Sequence, residues 1–251
     1  MLYKYDWQLL AMGIATILIC CPTHDGQSYC LERFLKGLAG ISYPSCDVLF
    51  ADNSGEESYS KRLREKAATA LSSMNVLVVR DSICDSRIAR IISSRNLVRG
   101  HFLRNRQYTS LFFLDTDIIP PKEVIVQLLS ADADIASGIY LSNQKIGDAF
   151  KVLPAIYKKH NDDSAATVTL KEVEINSIMD ILICGLGCCL IKRNVLEQIP
   201  FRPYSDSKTG GEDVAFCLDA HKKGFAIRAH CGVKCAHMGK KAMLVVGPSS
   251  A

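Results

Sequence analysis

The sequence predicts an α/β fold: a mainly parallel central sheet flanked by helices, with a smaller antiparallel part in its second half. Three observations predict it. Through the first half, short apolar runs rich in β-branched residues alternate with helical stretches of ten or more residues, as βαβ units do. Residues 111–121, LFFLDTDIIPP, run four apolar positions into Asp115-Thr116-Asp117 before two prolines end the segment. Such a run is a buried strand that the prolines stop from continuing. From residue 134 onward the pattern changes character, and residues 166–175 alternate in the antiparallel manner.

Taken in order, residues 15–21 (ATILICC) form the first strand, followed by the turn Pro22-Thr23-His24-Asp25-Gly26. Residues 28–38 form a helix with Leu31, Phe34, Leu35 and Leu38 on one stripe. Residues 47–51 are the second strand, ending in the loop Asp52-Asn53-Ser54-Gly55. Residues 56–73 are a helix rich in Ala, Lys, Arg and Glu, and residues 75–79 (NVLVV) the third strand. Residues 83–108 are mostly helical, and residues 111–114 are the fourth strand. In the second half, residues 134–141 and 152–158 read as strands, as does the alternating stretch 166–175. The polar segment 142–151 reads as a flexible loop near the site. Residues 179–191 are apolar around Gly185 and Gly187, and residues 194–199 make a short helix stopped by Pro200. After a polar loop at 205–211 comes a helix over 212–223, ended by Gly224, and a last strand over 225–230. The final residues, 239–251, read as a loose tail.

With 251 residues and 48% apolar content the chain can bury a large core, and 22% charged residues is ordinary for a soluble globular protein. The net charge of +4 is mild and no nucleic-acid recognition motif accompanies it, so nucleic acid is not an expected partner. Basic residues do gather between Arg80 and Arg106, either as a solvated helix face or as an anion site. Eleven cysteines, several in apolar runs, read as reduced core thiols and favour a cytoplasmic location. Residues 9–21 form an apolar stretch too short to span a bilayer, so no transmembrane segment is expected.

Several groups could carry chemistry. Asp115 and Asp117 stand at the carboxyl end of a core strand, where open α/β sheets bind ligands. Two anions this close repel unless a cation sits between them, and a divalent metal with a phosphate ligand meets that demand. Gly210-Gly211-Glu212-Asp213 opens a helix, so its acids either cap that helix or offer a base to a hydroxyl. Asp52 with Asn53 could hydrogen-bond a base or ribose, or form a plain Asx turn. Arg95-Asn96 suits a nucleotide's phosphates or base. His237 is structural or a ligand, and with His230, Cys231 and Cys235 it offers a less regular zinc alternative. No P-loop, GxGxxG or GxSxG motif is present.

In order along the chain, ILICCPTHDG, VLFADNSGEE, ISSRNLVRG, the DTD strand, CGLGCCLIKRNVLEQI, GGEDVAFCLDAHKKGFAI and CAHMG resemble the motifs of the family 2 glycosyltransferases with a GT-A fold. The resemblance spans about residues 17–237 and implies a Rossmann-like GT-A sheet in a single domain over 1–251. Its nucleotide-binding half would cover about 15–120 and its acceptor half about 121–238. It implies an inverting, metal-dependent transfer of a single sugar from a nucleotide-diphosphate sugar, UDP- or GDP-linked, to an acceptor hydroxyl on a glycan, lipid-linked or protein acceptor. Peripheral membrane contact is compatible with that chemistry. Asp117 would bind Mn2+ or Mg2+ directly, with Asp115 touching ribose or metal-bound water and His237 completing the metal shell. Asp213 would be the catalytic base and Glu212 would position the acceptor. Asp25, Asp52 and Arg95 would hold the nucleoside, with Thr23 and Thr116 beside them. The first loop departs from the family, having Thr-His-Asp-Gly where many relatives carry a Tyr or Asn with a Glu. The Gln-x-x-Arg-Trp motif of processive synthases is absent. A nucleotidyltransferase on a similar sheet, or a non-catalytic nucleotide- or carbohydrate-binding module, are the alternatives.

Overall fold

The computed structural model describes residues 15–82, 84, 86–161, 164–204 and 211–247. The first half is β1 (Ile17–Thr23), a 3-10 turn (Asp25–Gln27), α1 (Leu31–Ala39), β2 (Cys46–Asp52), α2 (Glu57–Ala70), β3 (Val76–Arg80), α3 (Arg87–Arg104) and β4 (Ser110–Leu114). The second half is β5 (Ile118–Ile119), α4 (Val124–Ser130), β6 (Ile135–Ile139), β7 (Leu141–Ile146), β8 (Ala149–Pro154), β9 (Ile156–Asn161), β10 (Ser164–Thr167), α5 (Leu170–Ile175), β11 (Ile178–Asp180), β12 (Ile183–Cys184), β13 (Cys188–Lys192), α6 (Arg193–Gln198), α7 (Glu212–Lys222), β14 (Ile227–Lys234), β15 (Ala236–Met238) and β16 (Met243–Val245).

Among the described residues the central sheet has eight strands in the order β3-β2-β1-β4-β13-β6-β14-β11. All run the same way except β13 and β11, which pair antiparallel with their neighbours. The expected mainly parallel α/β sheet is therefore present. Its central strands β1, β4, β6 and β13 are buried on both faces, which explains their continuous apolar runs. Alternation sends Leu18, Cys20, Leu49, Ala51, Leu111 and Phe113 towards α3, α6 and α7. The intervening Ile17, Ile19, Val48, Phe50, Phe112 and Leu114 pack against α1, α2 and α4.

The second half departs from the sequence expectation in three places. Residues 166–175 are not one strand: β10 ends at Thr167 and α5 begins at Leu170. Thr169 and Glu172 form a reciprocal capping box, and Glu172 also pairs with Lys158 of β9. That local start signal outweighs the alternating pattern. The segment 142–151 is a β-hairpin rather than a loop, with Ile146 opposite Ala149 and Gly147 at φ +60° in the first turn position. Glycine meets that requirement without strain. The tail read as loose contains β16, which pairs with β15; residues 248–251 lie outside the described residues, as do residues 205–210 of the polar loop.

Two polar anchors hold helices to the sheet, one at the carboxyl end of α3 and one at the carboxyl end of β2. Arg193 at the start of α6 donates to the carbonyls of Phe102, Asn105 and Tyr108 and lies over the Phe102 ring at 4.3 Å, so it holds the carboxyl end of α3. Asp52 was expected to face a nucleoside. Instead it is fully buried, and its carboxylate accepts from Ser54 N (2.9 Å), Ser54 Oγ (2.5 Å) and Ser60 Oγ. It ties the end of β2 to α2, which is the Asx-turn alternative. Asp52→Ala would strand these donors, and unfolding in urea is expected to show a loss of ~2–3 kcal/mol.

Candidate functional site

The carboxyl ends of β1, β2 and β4 meet the amino-terminal turns of α3 and α7 in one polar cleft. Asp115 follows β4 directly, its N–H donating to Gly187 O at 3.0 Å and its carbonyl accepting from Ile118 N at 2.9 Å. The turn so formed points Asp115 and Asp117 outward and starts β5 immediately afterwards. Antiparallel pairing of β5 with β15 sets His237 opposite Ile118, and Met238 N donates to Asp117 O at 2.8 Å. His237 Nε2 thereby stands 3.6 Å from Asp117 Oδ2. Its Nδ1 donates to Leu141 O at 2.7 Å, because a carbonyl can only accept, which leaves the Nε2 lone pair facing Asp117. The Asp117 carboxylate raises the His237 pKa, against the opposing effect of burial. Gln27 also reaches Asp117 Oδ2, at 3.5 Å.

Arg95 is the buried centre of the cleft. Its Nε donates to Glu212 Oε1 at 2.9 Å, its Nη2 lies 3.6 Å from Asp115 Oδ1, and its guanidinium sits 4.9 Å from the Phe113 ring centroid. Burial works against its charge, but Asp115 and Glu212 outweigh burial and raise its pKa above the ordinary arginine value. Asp115 keeps 36% of its side chain open to the cleft while protein walls its other sides. That burial is the main reason its pKa is pushed up to about 6; Asp117 and Glu212 push the same way and Arg95 opposes them. Asp213 is raised as well, by burial first and Glu212 second, although its Oδ1 accepts from Val214 N at 2.8 Å. A Cβ on Gly211 would stand 2.8 Å from that oxygen, so the glycine leaves room for the carboxylate.

Two adjoining cavities open on these groups. The smaller, about 310 Å3, is lined by Thr23, His24, Gln27, Asn53, Arg87, Arg90, Arg95, Asp115 and Asp117 among others. The larger, about 1050 Å3, is bordered by the β7–β8 hairpin and lined by Arg87, Arg95, Asp115, Tyr140, Tyr157, Glu212 and Asp213 among others. Arg95 and Asp115 belong to both, so the DTD turn and the Glu212-Asp213 turn share one cleft. Arg90 Nε and Arg95 Nη1 are buried, with no hydrogen-bond partner among the described residues, so each has a donor left for an anion. Of the two readings of the basic stretch, Arg87, Arg90 and Arg95 favour the anion site.

Other expected contacts sit elsewhere. Asp25 has a side chain 64% exposed and turns back on its own 3-10 turn, accepting from Gly26 N at 2.8 Å. Thr116 is buried against β1, donating to Pro22 O at 3.5 Å, so it braces the strands instead of facing the cavity. Thr23 lines the smaller cavity, although its hydroxyl is shared with Tyr59 at 2.7 Å. All eleven cysteines are free, and among the described residues no cluster of three or more His, Cys, Asp or Glu side chains could hold a metal alone, which removes the zinc alternative. Sequence reasoning passed over His24, Gln27 and Tyr140 as site residues, and named Arg87 and Arg90 only as part of the basic stretch. Arg87, Ile91 and Arg95 recur every four residues on one helix face, and that spacing was the available signal. Tyr140 gave none, since it lies between two strands.

No protein-family model matches the chain, and no curated relative matches it significantly. Solved structures do share its fold. GalNAc-T7 in complex with UDP, GalNAc and Mn2+ is 15% identical with a TM-score of 0.63, covering 90% of this chain and 44% of that one. A197 from STIV is 17% identical with a TM-score of 0.53, covering 94% of this chain and 96% of that one. S. aureus TarS 1-349 in complex with UDP-GlcNAc is 16% identical with a TM-score of 0.50, covering 91% and 57%. The chain thus spans about half the length of the GalNAc-T7 and TarS chains. At these identities the likeness is one of fold, and the fold is the GT-A arrangement: a large, mainly parallel sheet flanked by helices, with small antiparallel sheets beside it.

Proposed function

We propose that this chain is an inverting, metal-dependent glycosyltransferase of the family 2 type, moving one sugar from a nucleotide-diphosphate sugar to an acceptor hydroxyl. The observation that carries the reading is the cleft shared by Asp115, Arg95 and the Glu212-Asp213 turn, with Asp117 at one end and Asp213 at the other. The UDP and UDP-GlcNAc named in the two similar complexes support a nucleotide-sugar donor. The Mn2+ in one of them supports a divalent ion.

The residues present fit such an ion. Asp117 Oδ2 offers an anionic oxygen and His237 Nε2 a lone pair 3.6 Å away, with the tautomer fixed by Leu141 O. Two protein ligands leave the remaining positions to phosphate oxygens and water, as in many Mg2+ and Mn2+ sites. Mn2+ or Mg2+ held there would supply the charge neutralisation that makes a diphosphate a good leaving group. Arg87, Arg90 and Arg95 line the cavity that would take the diphosphate and nucleoside, and Arg90 and Arg95 each have a buried donor to spare. Asn53, His24 and Gln27 would contact the nucleoside end. Asp213 takes the proton of the acceptor hydroxyl as its oxygen attacks the anomeric carbon opposite the departing diphosphate. Its raised pKa makes it a better base than an ordinary aspartate. Glu212, anchored by Arg95, fixes the direction of the Asp213 turn and of the acceptor. Among the described residues no helix is long and apolar enough to cross a membrane, and eleven unpaired thiols suit a reducing, cytoplasmic setting.

A panel of UDP- and GDP-sugars assayed with Mn2+ or Mg2+ is expected to give hydrolysis or transfer that chelation abolishes. Asp117→Asn and Asp213→Asn should each lower turnover by ~10²-fold or more; metal-independent turnover unchanged in both variants refutes the reading. A second measurement separates the role of Asp213 from a structural one. Its folded pKa is raised, so the folded state binds more protons than the unfolded state, and its penalty on stability grows as pH rises from the unfolded value of 3.8 through the folded one. Asp213→Asn is therefore expected to be inactive yet to melt higher at pH 7, by a few degrees, given ~2–4 °C per kcal/mol for a chain of this size. The gain should vanish near pH 4.

A further inference from the structure

Tyr140, in the bend between β6 and β7, is a buried polar side chain of the cleft for which the proposed reaction has no use. It lines the larger cavity and is only 9% exposed. Its ring packs edge-on against His237, with centroids 5.7 Å apart at 86°. Its hydroxyl accepts from Gly187 N at 3.3 Å. A Cβ on Gly187 would stand 3.0 Å from Asp115 Oδ2 and 3.1 Å from the Tyr140 hydroxyl, so the two oxygens are close neighbours across that glycine. A Cβ on Gly185 would collide with the hydroxyl, and so the Gly185-Leu186-Gly187 turn is shaped around this phenol. The hydroxyl thus has its acceptor role filled, while its own proton has no acceptor among the described residues. A phenol is protonated at neutral pH and so can donate.

A sugar passing from a diphosphate beside Asp115 and Asp117 to an acceptor at Asp213 would cross the cavity that Tyr140 lines. We propose that the Tyr140 hydroxyl donates a hydrogen bond to one hydroxyl of the transferred sugar and is a specificity-determining residue for the donor hexose. This rests on the function proposed above. A buried donor that loses its partner discriminates far more sharply than a missing methylene in an apolar pocket. The glycines at 185 and 187 are then explained as space left for that donor, with Asp115 on the same side of the cavity beside it.

The test compares the wild-type chain with Tyr140→Phe, which keeps the ring against His237 and removes only the hydroxyl. Binding of UDP, of GDP and of a panel of their sugars is measured with Mn2+, together with turnover. Expected are nucleoside-diphosphate affinities unchanged within about twofold and a loss of about tenfold or more in kcat/KM for the preferred donor. Donors deoxygenated at each position in turn should reveal one position at which the wild type loses that factor and Tyr140→Phe does not. The deoxy series in the wild type alone also tests the proposal, because tolerance of every deoxygenation overturns it without any variant. Equal loss of bare nucleoside-diphosphate binding in Tyr140→Phe would make the residue a scaffold for His237 and overturn the proposal. An unchanged kcat/KM would do the same. Failure of the wild type to bind either diphosphate sinks the proposed function itself, a result distinct from the others.

Discussion

The Arg95 guanidinium, 5% exposed at the side chain, lies against Glu212 on one side and Asp115 on the other. Three carboxylates, Asp115, Glu212 and Asp213, crowd this end of the cleft, and Asp117 stands beyond them. Without a cation among them their mutual repulsion in a buried setting would cost several kcal/mol. Arg95 relieves part of it; burial first, and the neighbouring carboxylates after it, keep the Asp115 and Asp213 pKa values raised. The imbalance has a direction. The carboxylates nearest the guanidinium are satisfied by it, while the excess negative charge faces the open cavities, where a divalent cation and an acceptor proton would bind.

Arg95 also fixes geometry. It sits on α3, whose carboxyl end Arg193 clamps, and Glu212 opens α7 across the cleft. Phe113 gives the guanidinium an aromatic face, Phe201 packs edge-on against Phe113 at 5.5 Å, and Phe216 stacks on Phe201 at 4.5 Å. One continuous line of rings therefore runs from β4 to α7, parallel to the ion pair above it. Moving α7 relative to β4 would break both together, which is why two turns remote in sequence share one cleft.

The parallel half of the fold was legible because its central strands are buried on both faces and its helices carry apolar stripes, both strong periodic signals. The DTD turn and the Glu212-Asp213 turn were legible for a related reason: each lies at a sharp boundary between an apolar run and a polar segment, DTD after LFFL and Glu212-Asp213 before VAFCL. The second half was harder. Residues 166–175 alternate like a strand, yet Thr169 and Glu172 start a helix, so a two-residue capping signal overrode a nine-residue pattern. Asp52 and Thr116 were misplaced because a strand-end polar residue can turn inward to its own chain as readily as outward to a ligand. Only the neighbours decide, here Ser54, Ser60 and the Pro22 carbonyl. Tyr140 was invisible, since its meaning lies in two glycines 45 and 47 residues further on.

The Asp117 end of the site is built by contacts between segments far apart in sequence. Asp117 and His237 approach only because β15 pairs with the two-residue strand β5, and β16 pairs with β15 on its other edge. A two-residue strand contributes little pairing energy of its own, so β5 depends on β15, and β15 on β16, for its place. Contacts of this sequence separation form late and with high loop-closure cost. The His237 side is then the part of the cleft whose geometry is set last and held most lightly, while the Arg95 side is set by the packed core. A cation bound between Asp117 and His237, as the proposed function requires, would add its own binding energy to that weak closure and fasten β15 to the sheet.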